Sequence, residues 1–329
     1  MRSYCQLILI SAGFDVRHRP FEYSTFVGRW GTPVFGVGTA ALMLFAANEG
    51  AWGNGRRALG ILLLGALFLG VCGSLLGRRG VLDLPFARLR GMNLVATRGA
   101  PTLWLVAHLD SKSQPIPIVV RALAIIASML FLGVAMGVAV AQLVVPIPIF
   151  VWFALLLTEL VVALPVMVSV VGSRSNGALD NASGVATVLR VAELLPRDTA
   201  IGVLLTSAEE LGLAGARAWA RGAERATAIN IDGIDDTGEL RLIYSGRMPR
   251  TLLERLGASW PSPVRLPPGV LMDGVALADA GWEVVNISKG SWRTVSRIHT
   301  SDDSLANLDG SGAEEVAAML AGAIIASRR

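Results

Sequence analysis

Cysteine is nearly absent, with Cys5 and Cys72 the two in 329 residues. Cys72 falls inside an apolar run with no evident thiol partner, so a disulfide framework and a Cys-rich zinc site are both excluded. Charge is scarce as well. Asp, Glu, Lys and Arg make up 16% of the chain against 53% hydrophobic residues, where soluble domains carry about 25% charged residues. That deficit implies that part of the chain resides in lipid. No secretory leader is expected in MRSYCQLILISAGFDVRHRP, whose short apolar run is followed by charge without a small-residue cleavage site. Insertion would then rely on internal segments. The formal net charge of +4 is too small and too local to indicate nucleic acid. Its arginines cluster beside apolar runs, as in GRR at 77–79 and FARLRG at 86–91, and no nucleic-acid motif accompanies them. Repeats and low-complexity tracts are missing too.

Four long apolar runs are present, over residues 32–47, 58–77, 120–145 and 147–171. A bilayer needs about 20 apolar residues per helix, and the last three approach or exceed that. The first is short and is also compatible with an interfacial or buried helix. The runs pair into two transmembrane hairpins, 32–77 and 117–171, which makes the lipid bilayer a partner. Residues 1–31, 78–116 and 172–329 then lie on one side of the membrane and can form one domain interrupted by the hairpins. Basic residues near the spans are Arg17, Arg19, Arg29, Arg78, Arg79, Arg88, Arg90, Lys112 and Arg174 on the domain side, against Arg56 and Arg57 on the other. The excess of basic residues on the cytoplasmic side of membrane proteins points to a multi-pass protein with a cytoplasmic domain. Trp30, Trp52 and Trp152 read as interface anchors. Glu159, inside the fourth run, reads as a buried residue satisfied by a neighbouring helix or by Thr158, with a proton relay or substrate contact as the sharper alternative.

The polar parts alternate between strand and helix patterns. SYCQLILISAGF reads as a helix ended by Gly13 and DVRHRPFEY as a strand; PTLWLVAHLD is a buried strand, and DNASGVATVLRVAELL a helix capped by Asp180 or Asn181. The strand AIGVLLTSAEE follows, then a helix near 211–223, the strand ATAINIDG, a helix near 249–257, the strand EVVNIS and a closing helix near 311–327. Such alternation indicates an α/β fold with a mostly parallel central sheet flanked by helices. Ligands of such sheets sit beyond the carboxyl ends of the strands.

Those ends carry His108 and Asp110, Glu209 and Glu210, and Asp232, with Asp180 before the capped helix and His299 in RIHTSDD. Each has a plain reading. A lone His beside a strand is usually a hydrogen-bonded structural residue, Asp180 could be an N-cap, Asp232 before Gly a turn former, and Asp302 and Asp303 solvated loop charges. The joint pattern is more specific: of three His residues in the chain two lie at such positions, and acids recur at successive strand ends. Neighbouring carboxylates raise each other's pKa unless a cation is near, so a metal gives a physical reason to keep Glu209 beside Glu210. Histidine nitrogen with carboxylate oxygen suits zinc.

The blocks AHLDS, GALDNASG, SAEELGLAG, NIDG and RIHTSDDSL resemble, in order and spacing, the five signature blocks of the co-catalytic di-zinc aminopeptidase family, the bacterial leucyl aminopeptidase type related to glutamate carboxypeptidase and glutaminyl cyclase. The resemblance runs from about residue 93 to the C-terminus apart from the hairpin at 117–171, and more weakly over 4–23. It implies the zinc exopeptidase fold and a site of two Zn2+ ions acting on peptide substrates. His108 and Asp232 would bind one ion, Glu210 and His299 the other, and Asp180 would bridge them. Glu209 would be the general base, Asp110 would orient His108, and Asp273 would sit on the pocket side without ligating. Two departures stand out. The hairpin begins just after HLDSKSQP, which brings the site close to the bilayer surface, and Gly274 stands where the family usually has His. The implied protein is a membrane-bound zinc aminopeptidase. Alternatives on the same fold are a carboxypeptidase, another zinc amidohydrolase or a one-zinc glutaminyl cyclase; a silent receptor or scaffold, or a transporter, are alternatives of other classes. Substrate preference and oligomeric state are not legible.

Overall fold

Alternate residues of the central apolar runs go to opposite faces of one sheet. In the run Ile201–Thr206, Ile201, Val203 and Leu205 join one core cluster and Leu204 another, the period of two that a strand buried on both faces requires. The computed structural model describes every residue except Pro268 and Arg329. It divides into two compact units, one of Met1–Thr25, Leu82–Ser113 and Ser173–Arg329, the other of Phe26–Val81 and Gln114–Gly172.

The first unit holds α1 (Arg2–Ser11) and the strands β1 (Asp15–Ser24), β2 (Arg88–Arg98), β3 (Leu103–His108), β4 (Ile201–Thr206), β5 (Thr227–Ile234), β6 (Glu239–Tyr244), β7 (Val264–Arg265) and β8 (Glu283–Gly290). The sheet order is β1-β2-β4-β3-β5-β8-β6-β7. The run β4-β3-β5-β8 is parallel, while β2 and β6 each attach antiparallel to it. Parallel strands therefore occupy the centre, where both faces are covered. On one face α1 packs with α7 (Ser183–Leu194), α9 (Arg250–Leu256) and α12 (Ser311–Ala326), through Cys5, Leu9, Val188, Val191, Leu252, Val316 and Leu320. On the other lie α8 (Ala214–Ala220) and α10 (Asp273–Asp279), with Trp219 and Leu277 against Trp104, Val106 and Leu204. Each fully buried Leu or Ile here contributes about 1.5–3 kcal/mol. The remaining short helix, α11 (Trp292–Arg297), follows β8.

β2 departs from the sequence reading. FARLRG, noted in the sequence for its arginines beside an apolar run, was given no strand, and Arg88–Thr97 pairs residue for residue with Asp15–Ser24 of β1. Its arginines are exposed strand residues; Arg88 and Arg90 share Glu22 at 3.3 and 3.5 Å.

The second unit consists of α2 (Phe26–Ala51), α3 (Gly55–Leu75), α5 (Ile118–Ala141) and α6 (Ile149–Met167), with α3 running on through a wider turn at Leu76–Gly80 into α4 (Val81–Asp83). All four long helices are long and apolar enough to cross a membrane. The first is longer than the 32–47 run, because Pro33 is accommodated inside the helix. Large apolar side chains such as Leu64, Leu67 and Phe68 of α3, and Phe150, Phe153 and Leu157 of α6, are exposed, a surface that suits lipid better than water.

Trp152 is not an interface anchor. It is fully buried, its indole N–H donates to Gln142 Oε1 at 3.1 Å, and Gln142 in turn donates to the carbonyl of Gly50 at 2.8 Å. Gly50 makes this packing possible, since a Cβ there would lie 2.1 Å from the Trp152 ring. Trp30 and Trp52 are exposed. Glu159 is fully buried, and Thr158 does not serve it, donating instead to the carbonyl of Ala154.

Candidate functional site

His108 is the last residue of β3, and the chain places its ring by a local contact. Nδ1 lies 2.9 Å from the backbone carbonyl oxygen of Asp110 and donates to it, which leaves Nε2 as the lone-pair nitrogen. Nε2 faces Asp180 Oδ1 at 3.0 Å and Asp232 Oδ1 at 3.6 Å. His299, held at φ +66° just past α11, puts its Nε2 3.1 Å from Asp180 Oδ2 and 3.3 Å from Glu210 Oε1. Each oxygen of Asp180 thus meets a different histidine. Two sets of three residues result, His108 with Glu209 and Asp232, and Asp180 with Glu210 and His299; within each, one ligand atom per residue lies within 4.8 Å of the others.

Backbone devices hold these groups. Asp232 sits at an irregularity in β5, where register with β8 shifts between Ile231 and Ile234 and Gly233 takes φ +71°. Such a bulge re-aims a side chain at the end of a strand. Asp180 is not a helix cap: Asn181 has that task, its Oδ1 accepting from the N–H groups of Gly184 at 3.0 Å and Gly233 at 3.1 Å. Its Nδ2 also donates to the carbonyl of Ile231 at 2.9 Å, so the Asp180 turn is tied to the strand that carries Asp232. Glu209 and Glu210 follow β4 in a turn whose backbone N–H groups donate to Asp110 Oδ1 and Oδ2 at 3.1 and 3.2 Å. The carboxylate of Asp110 therefore positions the two glutamates, and its backbone carbonyl orients His108. The expected contact of that carboxylate with the imidazole is the longer one, at 3.9 Å.

Two residues were missed as site components. Asp303, read as a solvated loop charge, is buried; it accepts from the N–H of Leu179 at 2.5 Å and of Asp180 at 3.3 Å. Its place in the HTSDD block was the available signal. Lys112 puts Nζ 2.5 Å from Glu210 Oε2, leaving Oε1 to face His299. Asp273 is fully buried and accepts from Thr206 Oγ1. The departure at Gly274 has a steric cause, because a Cβ there would lie 2.1 Å from Asn286 Oδ1.

The protein's own groups leave a conflict that a cation resolves. Burial would lower His108, but Glu209, Asp180 and Asp232 outweigh it and hold the imidazolium well above the usual range. Burial raises Glu209 well above a normal carboxyl, with Glu210, Asp232 and Asp273 adding to the rise, and it raises Asp232 too. Asp273 is pushed up to about 7, chiefly by burial. Burial also opposes ionisation of Asp180, yet the His108 and His299 rings facing its two oxygens prevail and lower it. Buried His108 Nε2 and Glu210 Oε1 make no hydrogen bond among the described residues. Ligand atoms about 2.0–2.2 Å from a tetrahedral zinc are roughly 3.3–3.6 Å apart, and the four His–carboxylate contacts span 3.0–3.6 Å. The His108–Asp232 and His299–Glu210 contacts, at 3.6 and 3.3 Å, lie in that range, and the donor types of both groups suit zinc.

The sequence profile of peptidase family M28 matches residues 92–324, a span that contains every residue of both clusters. The chain belongs to peptidase family M28. Among solved structures, a zinc aminopeptidase from Bacillus subtilis aligns with this M28 chain at 18% identity and TM-score 0.45, over 72% of this chain and 50% of that one. The M28 chain thus spans about half the length of that protein. A glutaminyl cyclase from Bacteroides thetaiotaomicron aligns at 12% identity and TM-score 0.54, over 98% of this chain and 87% of that one. A leucine aminopeptidase precursor from the same bacterium aligns at 13% identity and TM-score 0.51 with the same coverage. These two likenesses establish the shared fold. No curated protein matches the chain closely enough to count as a relative.

Proposed function

We propose that this M28 chain is a membrane-bound zinc aminopeptidase that hydrolyses N-terminal peptide bonds. The observation that carries the reading is Asp180, whose two oxygens face two different histidines at 3.0 and 3.1 Å. His108 and Asp232 would hold one zinc ion, Glu210 and His299 the other, with Asp180 between them. When bound, the ions supply Lewis acidity for the scissile carbonyl and lower the pKa of the attacking water. Glu209 is the general base: its carboxylate takes the proton of that water and returns it to the leaving amine. Asp110 fixes the turn that carries Glu209 and Glu210, and Lys112 holds Glu210 so that Oε1 is turned towards His299.

The four long apolar helices support an integral membrane protein with both insertions crossing the bilayer. The balance of arginines around them favours a cytoplasmic peptidase unit. A glutaminyl cyclase activity on the same fold is the second reading, prompted by the alignment over 98% of the chain. The presence of two separate ligand clusters favours the peptidase. Purified protein in detergent, assayed with aminoacyl anilides and with an N-terminal glutaminyl peptide, separates them. Release of amino acid with two zinc ions per chain supports the peptidase; ring closure with one zinc ion would overturn it.

A further inference from the structure

The chain leaves the sheet-bearing unit after Thr25 and returns at Leu82, then leaves after Ser113 and returns at Ser173. All four points belong to one edge of the sheet. β1 ends at Ser24, paired with Arg88 at the start of β2. Because β2 is antiparallel to both β1 and β4, and β4 is parallel to β3, the end of β1 lies on the same edge as the end of β3. That edge carries His108, Glu209, Glu210 and Asp232. The second exit and return are fastened together, the N–H of Arg174 donating to Ser113 Oγ at 2.8 Å. From Asp110 to Ile118, where α5 begins, eight residue steps of chain reach at most about 29 Å.

Part of the surface around this edge is apolar and basic. Phe86 and Leu89 are exposed beside Arg88 and Arg90, which share the single acid Glu22 and leave one positive charge in excess. Trp292 follows β8 and Leu305 follows His299, and they are 73% and 78% exposed. From β2 to β8 is four strand spacings, roughly 19 Å, so both groups fit one membrane-facing surface. Exposed aromatic and aliphatic side chains with neighbouring arginines suit the headgroup layer of a bilayer. We propose that this edge, through Phe86, Leu89, Trp292 and Leu305, rests in the headgroup region of the bilayer, and that the site acts on peptides presented at a membrane surface. The inference rests on the membrane-spanning reading above.

The test uses the full chain in lipid nanodiscs, with Cys5→Ala and Cys72→Ala removing both native thiols. An environment-sensitive fluorophore is placed at Phe86→Cys or Leu305→Cys, and at Glu224→Cys, which lies before β5 at the opposite edge. The labels at 86 and 305 are expected to be blue-shifted and quenched at least about two-fold by headgroup-proximal doxyl lipid, as in an interfacial layer, with the label at 224 unchanged. Labels at 86 and 305 that behave like the one at 224 overturn the proposal. Alkaline carbonate separates the two levels: release of the chain from membranes overturns the membrane reading with this inference, whereas retention with unquenched labels overturns the inference alone. For substrate, a lipid-anchored peptide with its N-terminus close to the headgroups is compared with one raised on twenty prolines, about 62 Å of spacer. The account expects the close peptide to be hydrolysed at least about five-fold faster, since the raised one passes the roughly 29 Å reach of the tether. Equal rates would remove the substrate claim.

Discussion

Replacing Glu209 with Gln keeps volume and hydrogen-bonding capacity while removing the proton acceptor. Glu209 is buried and its backbone is fixed from both sides, the N–H donating to Asp110 Oδ1 at 3.1 Å and the carbonyl accepting from Gly212 at 3.0 Å and Leu213 at 2.7 Å. The substitution should therefore leave the turn in place. A positioned general base supplies roughly 10²–10⁴-fold in rate, so the variant should lose about 2.7–5.5 kcal/mol of transition-state stabilisation. The assay is kcat on an aminoacyl anilide, with zinc per chain measured on the same sample. The expected result is a kcat lower by that factor at unchanged metal content. A kcat within about three-fold of the parent, far below the range for a base, refutes the assignment. Loss of one zinc equivalent refutes it differently, by making Glu209 a ligand alongside His108 and Asp232, with which it clusters.

Asp180→Ala should deplete both ions together, by more than the roughly 10–100-fold in affinity that follows loss of a ligand's hydrogen-bond partner, as read by competition with a chromogenic chelator. Asp303→Ala, which removes the acceptor for the N–H groups of Leu179 and Asp180, should weaken zinc binding within that 10–100-fold range and leave secondary structure by circular dichroism unchanged. Zinc binding should release protons, because the ligands His108 and Asp232 are both raised and ligands bind the ion deprotonated. Affinity should then rise with pH, and calorimetry in two buffers of different ionisation enthalpy reads the proton count. Gly50→Ala sets a Cβ against the Trp152 ring, and overpacking of this kind costs about 1–3 kcal/mol, visible as a lower melting temperature in detergent.

The alternating polar segments made the α/β sheet legible, and the five residue blocks named the side chains that the structure brings together, because three blocks lie at the ends of β3, β4 and β5 and two beside helices, where local pattern and chemistry coincide. What escaped depended on contacts distant in sequence. Asp303 looked solvated because its partners, Leu179 and Asp180, are 124 and 123 residues away. The task of the Asp110 carboxylate could not be read because Glu209 and Glu210 return to it across 99 and 100 residues. FARLRG did not show itself as the start of a strand because its partner, β1, is distant in sequence and its arginines hide the alternation. Trp152 read as an anchor because nothing local reveals that Gly50 opens a space for its ring. The first apolar helix extended past its run for a similar reason, Pro33 being accommodated inside it.

Anomalous diffraction at the zinc edge from crystals of the full chain tests the central claim most directly. The account predicts two peaks roughly 3.5–4 Å apart, as in two-metal sites, one beside His108 and Asp232, one beside Glu210 and His299, with an oxygen of Asp180 on each. A single peak, or two peaks that do not share Asp180, would contradict it.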